Sequence, residues 1–318
     1  MTNPRVPCKQ LLLALSLTAA AAGVSARSWA AEPGKAGYLF LTVGPDARAE
    51  GMGGAQTAVA DGLSAISYNP ASLADARPRD WTLSYTNWVT DIQSGFMAAA
   101  IPIGSGLMMA AGIQYFDYGD FDGFDGDGVA SGQFGASDFS GALTVAGRVG
   151  APAAWGVTGR FISESIDSES STGFALDAGA RYELGDGRTR VGASIRHLGS
   201  QTKALGGGKK DDLPVTGTFG IAHRLRGAPL LAALDIVKPS DDDFGFLGGL
   251  EFAGLKPLTL RAGYNSLTGQ IETGSGRDDL AGFSIGIGIL LRGMMLDYAY
   301  GSLSVLGDSH RFGLRSAI

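Results

Sequence analysis

From Trp81 onward the chain repeats one pattern. Segments of about 8–13 residues alternate apolar with small or polar side chains, and turn residues separate them. Phe283, Ile285, Ile287 and Ile289 share one face, while Ser284, Gly286 and Gly288 share the other. Phe174, Leu176, Ala178, Ala180, Tyr182 and Leu184 alternate in the same way with Asp177, Gly179, Arg181 and Glu183. A period of two means β-strand. Charges facing a dry sandwich core are costly, so the polar face must be wet or internally paired.

The segments number about fourteen, near 81–90, 94–103, 107–116, 137–148, 154–164, 172–184, 188–198, 213–225, 228–238, 243–253, 258–265, 279–291, 293–300 and 308–316. Tight turns at Gly104-Ser105-Gly106, Gly185-Asp186-Gly187, Arg226-Gly227 and Arg292-Gly293 alternate with longer polar loops near 117–136, 199–212 and 266–278. An even strand count with short turns at one end and long loops at the other predicts an all-β, antiparallel outer-membrane barrel over 81–318. A soluble β-sandwich gives no reason for that asymmetry. Trp81, Tyr85, Trp88, Tyr115, Trp155, Tyr182, Tyr298 and Tyr300 fall near strand ends, where a headgroup girdle is expected.

Composition narrows the alternatives. Apolar residues at 45% exclude disorder, and the 50 glycines follow no G-X-Y period, which excludes collagen. A net charge of −6 gives no basic surface for nucleic acid.

Residues 1–26 read as a secretory signal: Arg5 and Lys9 precede the apolar run Leu11–Ala22, and cleavage is expected after Ala26 or Ala30. Removing Arg5 and Lys9 leaves about −8, a solvated acidic exterior. The one cysteine, Cys8, precedes that run, so the mature chain has no thiol. Residues 27–80 are rich in small side chains and precede the first strand, with one short helix expected after Asp61. Pro70 presets its own φ and keeps Asn69 extended, while the Asn69 side chain is suited to capping the turn.

In this region the chain resembles the PorV/PorQ family of FadL-like outer-membrane proteins. The matching residues are Arg48, Gly51, Met52, Gly53, Gly54 and Asp61 in one run, then Asn69, Pro70 and Ala71 in a second that continues to Ala74. Leu213-Pro214, Arg261-Ala262-Gly263-Tyr264, the run Gly282–Gly288, Asp297-Tyr298-Ala299-Tyr300 and His310-Arg311 extend the resemblance over the mature chain. It implies a fourteen-stranded barrel with residues 27–80 folded inside the lumen as a hatch. Members of this kind either receive secreted cargo proteins beside a type IX secretion machine or, as FadL does, pass small hydrophobic molecules. The first, a non-enzymatic surface shuttle, is the expectation here, and a hydrophobic transporter is the alternative. A shuttle predicts a sealed lumen with ordered external loops; a transporter predicts an apolar pocket and a lateral opening. The last residue, Ile318, stands where such barrels usually end in an aromatic.

Alternation assigns Arg148, Arg160, Asp177, Arg181, Glu183, Arg196, Arg224, Asp235, Glu251, Arg261 and Asp297 to the lumen. Interleaved signs predict ion pairs that fill the interior, and Arg48 is expected to pair with Asp177, Glu183, Glu251 or Asp297. Gly51-Met52-Gly53-Gly54 lacks the Lys-Ser/Thr of a phosphate cradle. Asp117, Asp120, Asp122, Asp125 and Asp127 cluster in one loop and Asp241–Asp243 in another; Asp120, Asp122, Asp125 and Asp127 are weak Ca²⁺ candidates without EF-hand spacing. Alternation turns His197 and His223 toward lipid, His310 lies near a strand start, and no histidine accompanies a GxSxG nucleophile motif. No catalytic residue, cofactor or resident metal is therefore expected. The expected partners are membrane lipid, then cargo protein or a small hydrophobic ligand.

Overall fold

The computed structural model describes residues 36–59, 63–88, 92–185, 187–269, 278–304 and 307–316. The expected signal with both cleavage sites, Asp61 and Ile318 lie outside the described residues.

Fourteen strands form: β1 (Trp81–Asn87), β2 (Gln93–Ile103), β3 (Leu107–Phe124), β4 (Ala130–Val149), β5 (Ala153–Ile166), β6 (Glu169–Leu184) and β7 (Thr189–Lys203). They continue as β8 (Thr216–Arg224), β9 (Leu230–Pro239), β10 (Gly245–Leu255), β11 (Leu258–Asn265), β12 (Phe283–Leu291), β13 (Met294–Ser302) and β14 (Asp308–Ser316). Every neighbour pair is antiparallel, and β1 closes on β14 through Thr82↔Arg315 to Asn87↔His310. Closure leaves no unpaired edge. No helix among the described residues is long and apolar enough to cross a membrane, which says nothing of a β-barrel, and the strands' backbone groups are paired around the ring.

The period of two sorts the faces as expected. Leu143, Phe174, Leu176, Phe219, Phe246, Ile285 and Phe312 point outward and are 51–60% exposed, an apolar belt of the kind that lipid covers. Thr82, Gln114, Thr144, Thr158, Asp177, Arg261 and Asp297 point inward and are buried.

They are buried because the N-terminal segment fills the lumen. It enters at the long-loop end, where Ala36 bridges to Asp212 and Gly37 N donates to Asp212 O. Four short helical turns follow, Leu39–Thr42, Ala47–Glu50, Leu63–Ser67 and Pro70–Asp75. Asp46 caps the second by accepting from Ala49 N at 2.9 Å, and burial pushes its carboxyl above the ordinary carboxylate pKa. The segment leaves at the short-turn end, where Asp80 O accepts from Ala100 N and β1 begins.

Four expectations need correction. The loop expected over 117–136 is mostly strand: β3 and β4 stay paired as far as Phe124↔Ala130. Trp88 is no girdle residue, because it follows the inward phase of β1 and packs beside Phe116. Strand β8 starts at Thr216, so Leu213 and Pro214 belong to the preceding loop. His197 does not face lipid. Asp177 of β6 stands opposite two residues of β7, Arg196 and His197, in a β-bulge. The bulge holds His197 at a φ of 61° and turns both side chains inward, leaving His197 1% exposed.

Candidate functional site: the plugged lumen and the wall from β2 to β7

The plug meets the barrel differently on its two sides. Toward β10–β14 it meets charge. Arg48 donates to both oxygens of Glu251, at 2.7 and 2.8 Å. Arg261 Nε donates to the same carboxylate at 2.7 Å, Arg261 Nη1 to Asp297 at 2.7 Å, and Arg315 Nε to Asp297 at 2.9 Å. These five side chains form one buried, alternating ladder, and a bidentate arginine fixes direction as well as distance. Arg311 adds a bond to Glu50 at 3.1 Å.

Glycines make this close docking possible. A side chain at Gly263 would place its Cβ 2.0 Å from Gly53 N, and one at Gly249 would lie 2.5 Å from Met52 O. Gly53 itself has a φ of 62°, which a side chain rarely adopts. Gly51 and Gly53 therefore pack backbone against backbone, while the Met52 side chain is buried in an apolar cluster with Leu231 and Ala233, and Gly54 lies beside Leu247.

Around β5–β9 the contacts are mixed. Asn69 stays extended, its Oδ1 accepts from Ala71 N at 3.0 Å, and its Nδ2 donates to Thr57 O at 2.7 Å. Pro70 takes the first helical position, against Gly156. Asp235 accepts from Thr57 N at 2.9 Å, and Arg196 donates to Ser67 O at 3.0 Å. Arg160 pairs with Asp177 at 2.9 Å, and Asp177 also accepts from His197 N at 2.7 Å. Arg148 and Arg181 both grip Asp75, close to the exit of the plug. Glu183 pairs with Arg190 at 3.1 Å near the short-turn rim, and Arg224 keeps its inward phase but is exposed at the end of β8.

Toward β2–β4, apart from Arg148 at the end of β4 and a bond from Gln114 Nε2 to Val43 O, the plug meets hydrocarbon instead. Leu63, Ile66 and Leu73 pack on Phe96, Ala98, Ala100, Ala110 and Ala146. Here the wall is also built from small residues. Outward Ala99, Ala111, Gly141 and Gly159 floor an apolar groove of about 960 Å³ that runs across β1–β7, walled by Leu143, Phe161 and Leu176 among others. Just inside, a void of about 10 Å³, room for about one water, borders Gly112, Ala142 and Arg160, which also line the groove.

A second concavity, of about 500 Å³, lies at the long-loop rim between the N-terminal segment and β3–β5. Phe40, Tyr118, Phe121 and Phe134 supply its aromatic surface, with Asp138 and Glu164 beside them. A bulge at Tyr118 and Gly119, the latter at a φ of 75°, shifts the register of β3 and brings Phe121 opposite Phe134. Their rings stack with centroids 5.5 Å apart.

Sequence reasoning missed Asp75, Glu50, Arg311, Arg315, Asp138 and Glu164. Arg311 and Arg315 were within reach of the period of two, since Phe312 between them faces outward. Asp75 carries no periodic signal. In the acidic loop Asp125 caps the hairpin turn through the amides of Asp127 and Val129, and Asp122 accepts from Gln133. Among the described residues no three His, Cys, Asp or Glu side chains converge. His197 bonds Pro214 O, His223 bonds Thr189 and His310 bonds Tyr298.

No protein-family model and no curated protein matches the chain. Solved structures do. The CymD monoaromatic hydrocarbon channel aligns over 87% of this chain and 98% of its own, at 14% identity and a TM-score of 0.61. The toluene transporter TodX of Pseudomonas putida gives 84% and 95% coverage, 13% identity and 0.58. A FadL homologue of Pseudomonas aeruginosa gives 85% and 97%, 13% and 0.53. The fold is the closed fourteen-stranded barrel of these structures. At such identities the likeness carries the fold alone, and the narrower PorV/PorQ resemblance still rests on the motifs.

Proposed function

We propose that this chain is a non-enzymatic outer-membrane protein that admits small hydrophobic molecules at its long-loop face and releases them sideways between β2 and β7. A signal at residues 1–26 delivers it, residues 27–80 are its hatch, and the long loops face outward. The observation that carries this reading is the apolar groove on the lipid-facing wall, floored by Ala99, Ala111, Gly141 and Gly159. Sideways release suits an apolar cargo, which then never leaves a low-dielectric path for water. The fold shared with TodX and CymD, a transporter and a channel by name, points the same way. The alternative weighed above is thus preferred to the protein-export shuttle.

The test is initial uptake of radiolabelled toluene by cells whose outer membrane lacks any other hydrocarbon channel. Cells carrying the chain should take it up several-fold faster than cells with an empty vector. Equal rates contradict the proposal.

One observation favours the shuttle. The β3–β4 hairpin projects an apolar tip, with Phe124 65% and Val129 61% exposed. Such a tip suits contact with a cargo protein or with secretion machinery. Absent toluene uptake, together with a secreted protein crosslinked at Phe124 in native membranes, would establish that reading instead.

A further inference from the structure

Asp138 and Glu164 are direct partners in the β4–β5 register, so two carboxylates stand side by side on the inner face at the long-loop rim. Like charges directly opposite destabilise an antiparallel pair. Asp138 is only 4% exposed. Its Oδ2 accepts from Tyr118 OH at 2.6 Å, but its buried Oδ1 has no hydrogen-bond partner. No lysine or arginine pairs with either carboxylate among the described residues. Elsewhere in this lumen Glu251, Asp297 and Asp177 are held by arginines, while Asp46 and Asp235 are held by backbone amides of the plug. This pair instead borders the rim pocket of about 500 Å³, whose other walls include Phe40, Tyr118, Phe121 and Phe134.

An unneutralised carboxylate pair beside aromatic faces is the chemistry of an organic cation site. The rings attract a cation through their quadrupoles and cover its apolar body, while the carboxylates supply the counter-charge. A neutral hydrocarbon would leave Asp138 Oδ1 buried and unpaired, which is costly. We infer that this pocket binds an organic monocation with an apolar or aromatic body, such as an arylalkylammonium. As a statement about cargo this rests on the uptake reading above; as a binding site it stands alone.

The probes are benzyltrimethylammonium and neopentylbenzene, which share a shape and differ by a charged nitrogen in place of carbon. Both are titrated calorimetrically into the full mature chain in zwitterionic micelles, with the Asp138→Asn, Glu164→Gln double variant as the reference for partition into the micelle. The wild type should bind the cation about tenfold or more tightly than its neutral twin. The double variant should lose that preference while still migrating differently on gels before and after boiling, as a folded barrel does. Equal binding of the two probes by wild type, or a preference that survives in the double variant, overturns the inference. So does displacement of the cation by micromolar Ca²⁺ alone, which would make the pair a metal site. Lys35→Ala is titrated in parallel, because Lys35 precedes the pocket residue Ala36 in the sequence. A preference that appears only in that variant would mean that the chain supplies its own cation, and it also overturns the inference. Toluene uptake without cation preference removes this site and leaves the passage reading. Cation preference without uptake does the reverse.

Discussion

Toward β10–β14 the plug is held mainly by directed bonds between charges, and toward β2–β4 mainly by contact between apolar side chains, with Arg148 of β4 on Asp75 as the exception near the exit. The free energies involved are similar. Removing one partner of a buried ion pair costs about 3–5 kcal/mol, and truncating a buried leucine about 2–5 kcal/mol. The tolerance for movement differs. The bidentate bond from Arg48 to Glu251 fails within an ångström of displacement, whereas Leu63, Ile66 and Leu73 can slide on an alanine floor and repack. The glycine seats at Gly249 and Gly263 deepen the contrast, because they key the plug's backbone to β10 and β11. Meanwhile small outward residues thin the wall across β2–β5. The difference teaches that one side of this barrel anchors and the other can yield.

The strongest way to break this comparison is electrical. Deleting residues 37–74 should leave a barrel that conducts steadily in planar bilayers. Arg48→Ala should give flickering currents, because the ladder loses its only member from the plug. Leu73→Ala should cost about 2–5 kcal/mol in urea unfolding yet remain closed. If Leu73→Ala conducts as much as Arg48→Ala, the two sides do not differ as described. If even the deletion conducts nothing, the segment is no plug.

A smaller effect sharpens the comparison on β12. Ile287→Lys puts a charge on the lipid face and should cost about 2–4 kcal/mol near the bilayer midplane, measured by urea unfolding in lipid. Gly288→Lys faces inward, where a Cβ would already lie 2.7 Å from Asp297 Oδ1 and 3.0 Å from Arg261 Nη2. It should act by disturbing the ladder, and so raise conductance as Arg48→Ala does. Equal loss of stability with no change in current at either position would mean that the faces of β12 are misassigned.

The barrel was legible because alternation is a local signal repeated fourteen times. Strand β11 ends where the pattern ends, at Leu258 and Asn265. Alternation failed where the backbone inserts a residue. The bulge opposite Asp177 reverses His197, and the bulge at Tyr118 and Gly119 brings Phe121 opposite Phe134, so neither is visible to a rule of period two. The partner of Arg48 was narrowed to four carboxylates but not chosen. Glu251 lies 203 positions away, and only closure of the ring sets which strand the plug faces. The carboxylate pair at Asp138 and Glu164 stayed hidden for a related reason: it is a fact of register, and the stretch around Asp138 reads as an ordinary polar strand end.

The central claim is that cargo leaves through the groove on the β2–β7 wall, and two matched glycines test it most directly. Gly159 floors the groove and Gly248 lies on β10; both follow the outward phase of their strands, and neither has an atom within 4 Å of an added Cβ. Gly159→Trp should fill the groove without entering the lumen, and Gly248→Trp should add the same bulk to the anchored side. Toluene uptake by cells should fall about tenfold or more with Gly159→Trp, a barrier of at least about 1.4 kcal/mol, and stay near wild type with Gly248→Trp. Unchanged uptake with Gly159→Trp, or an equal fall with both, would contradict lateral release through this wall.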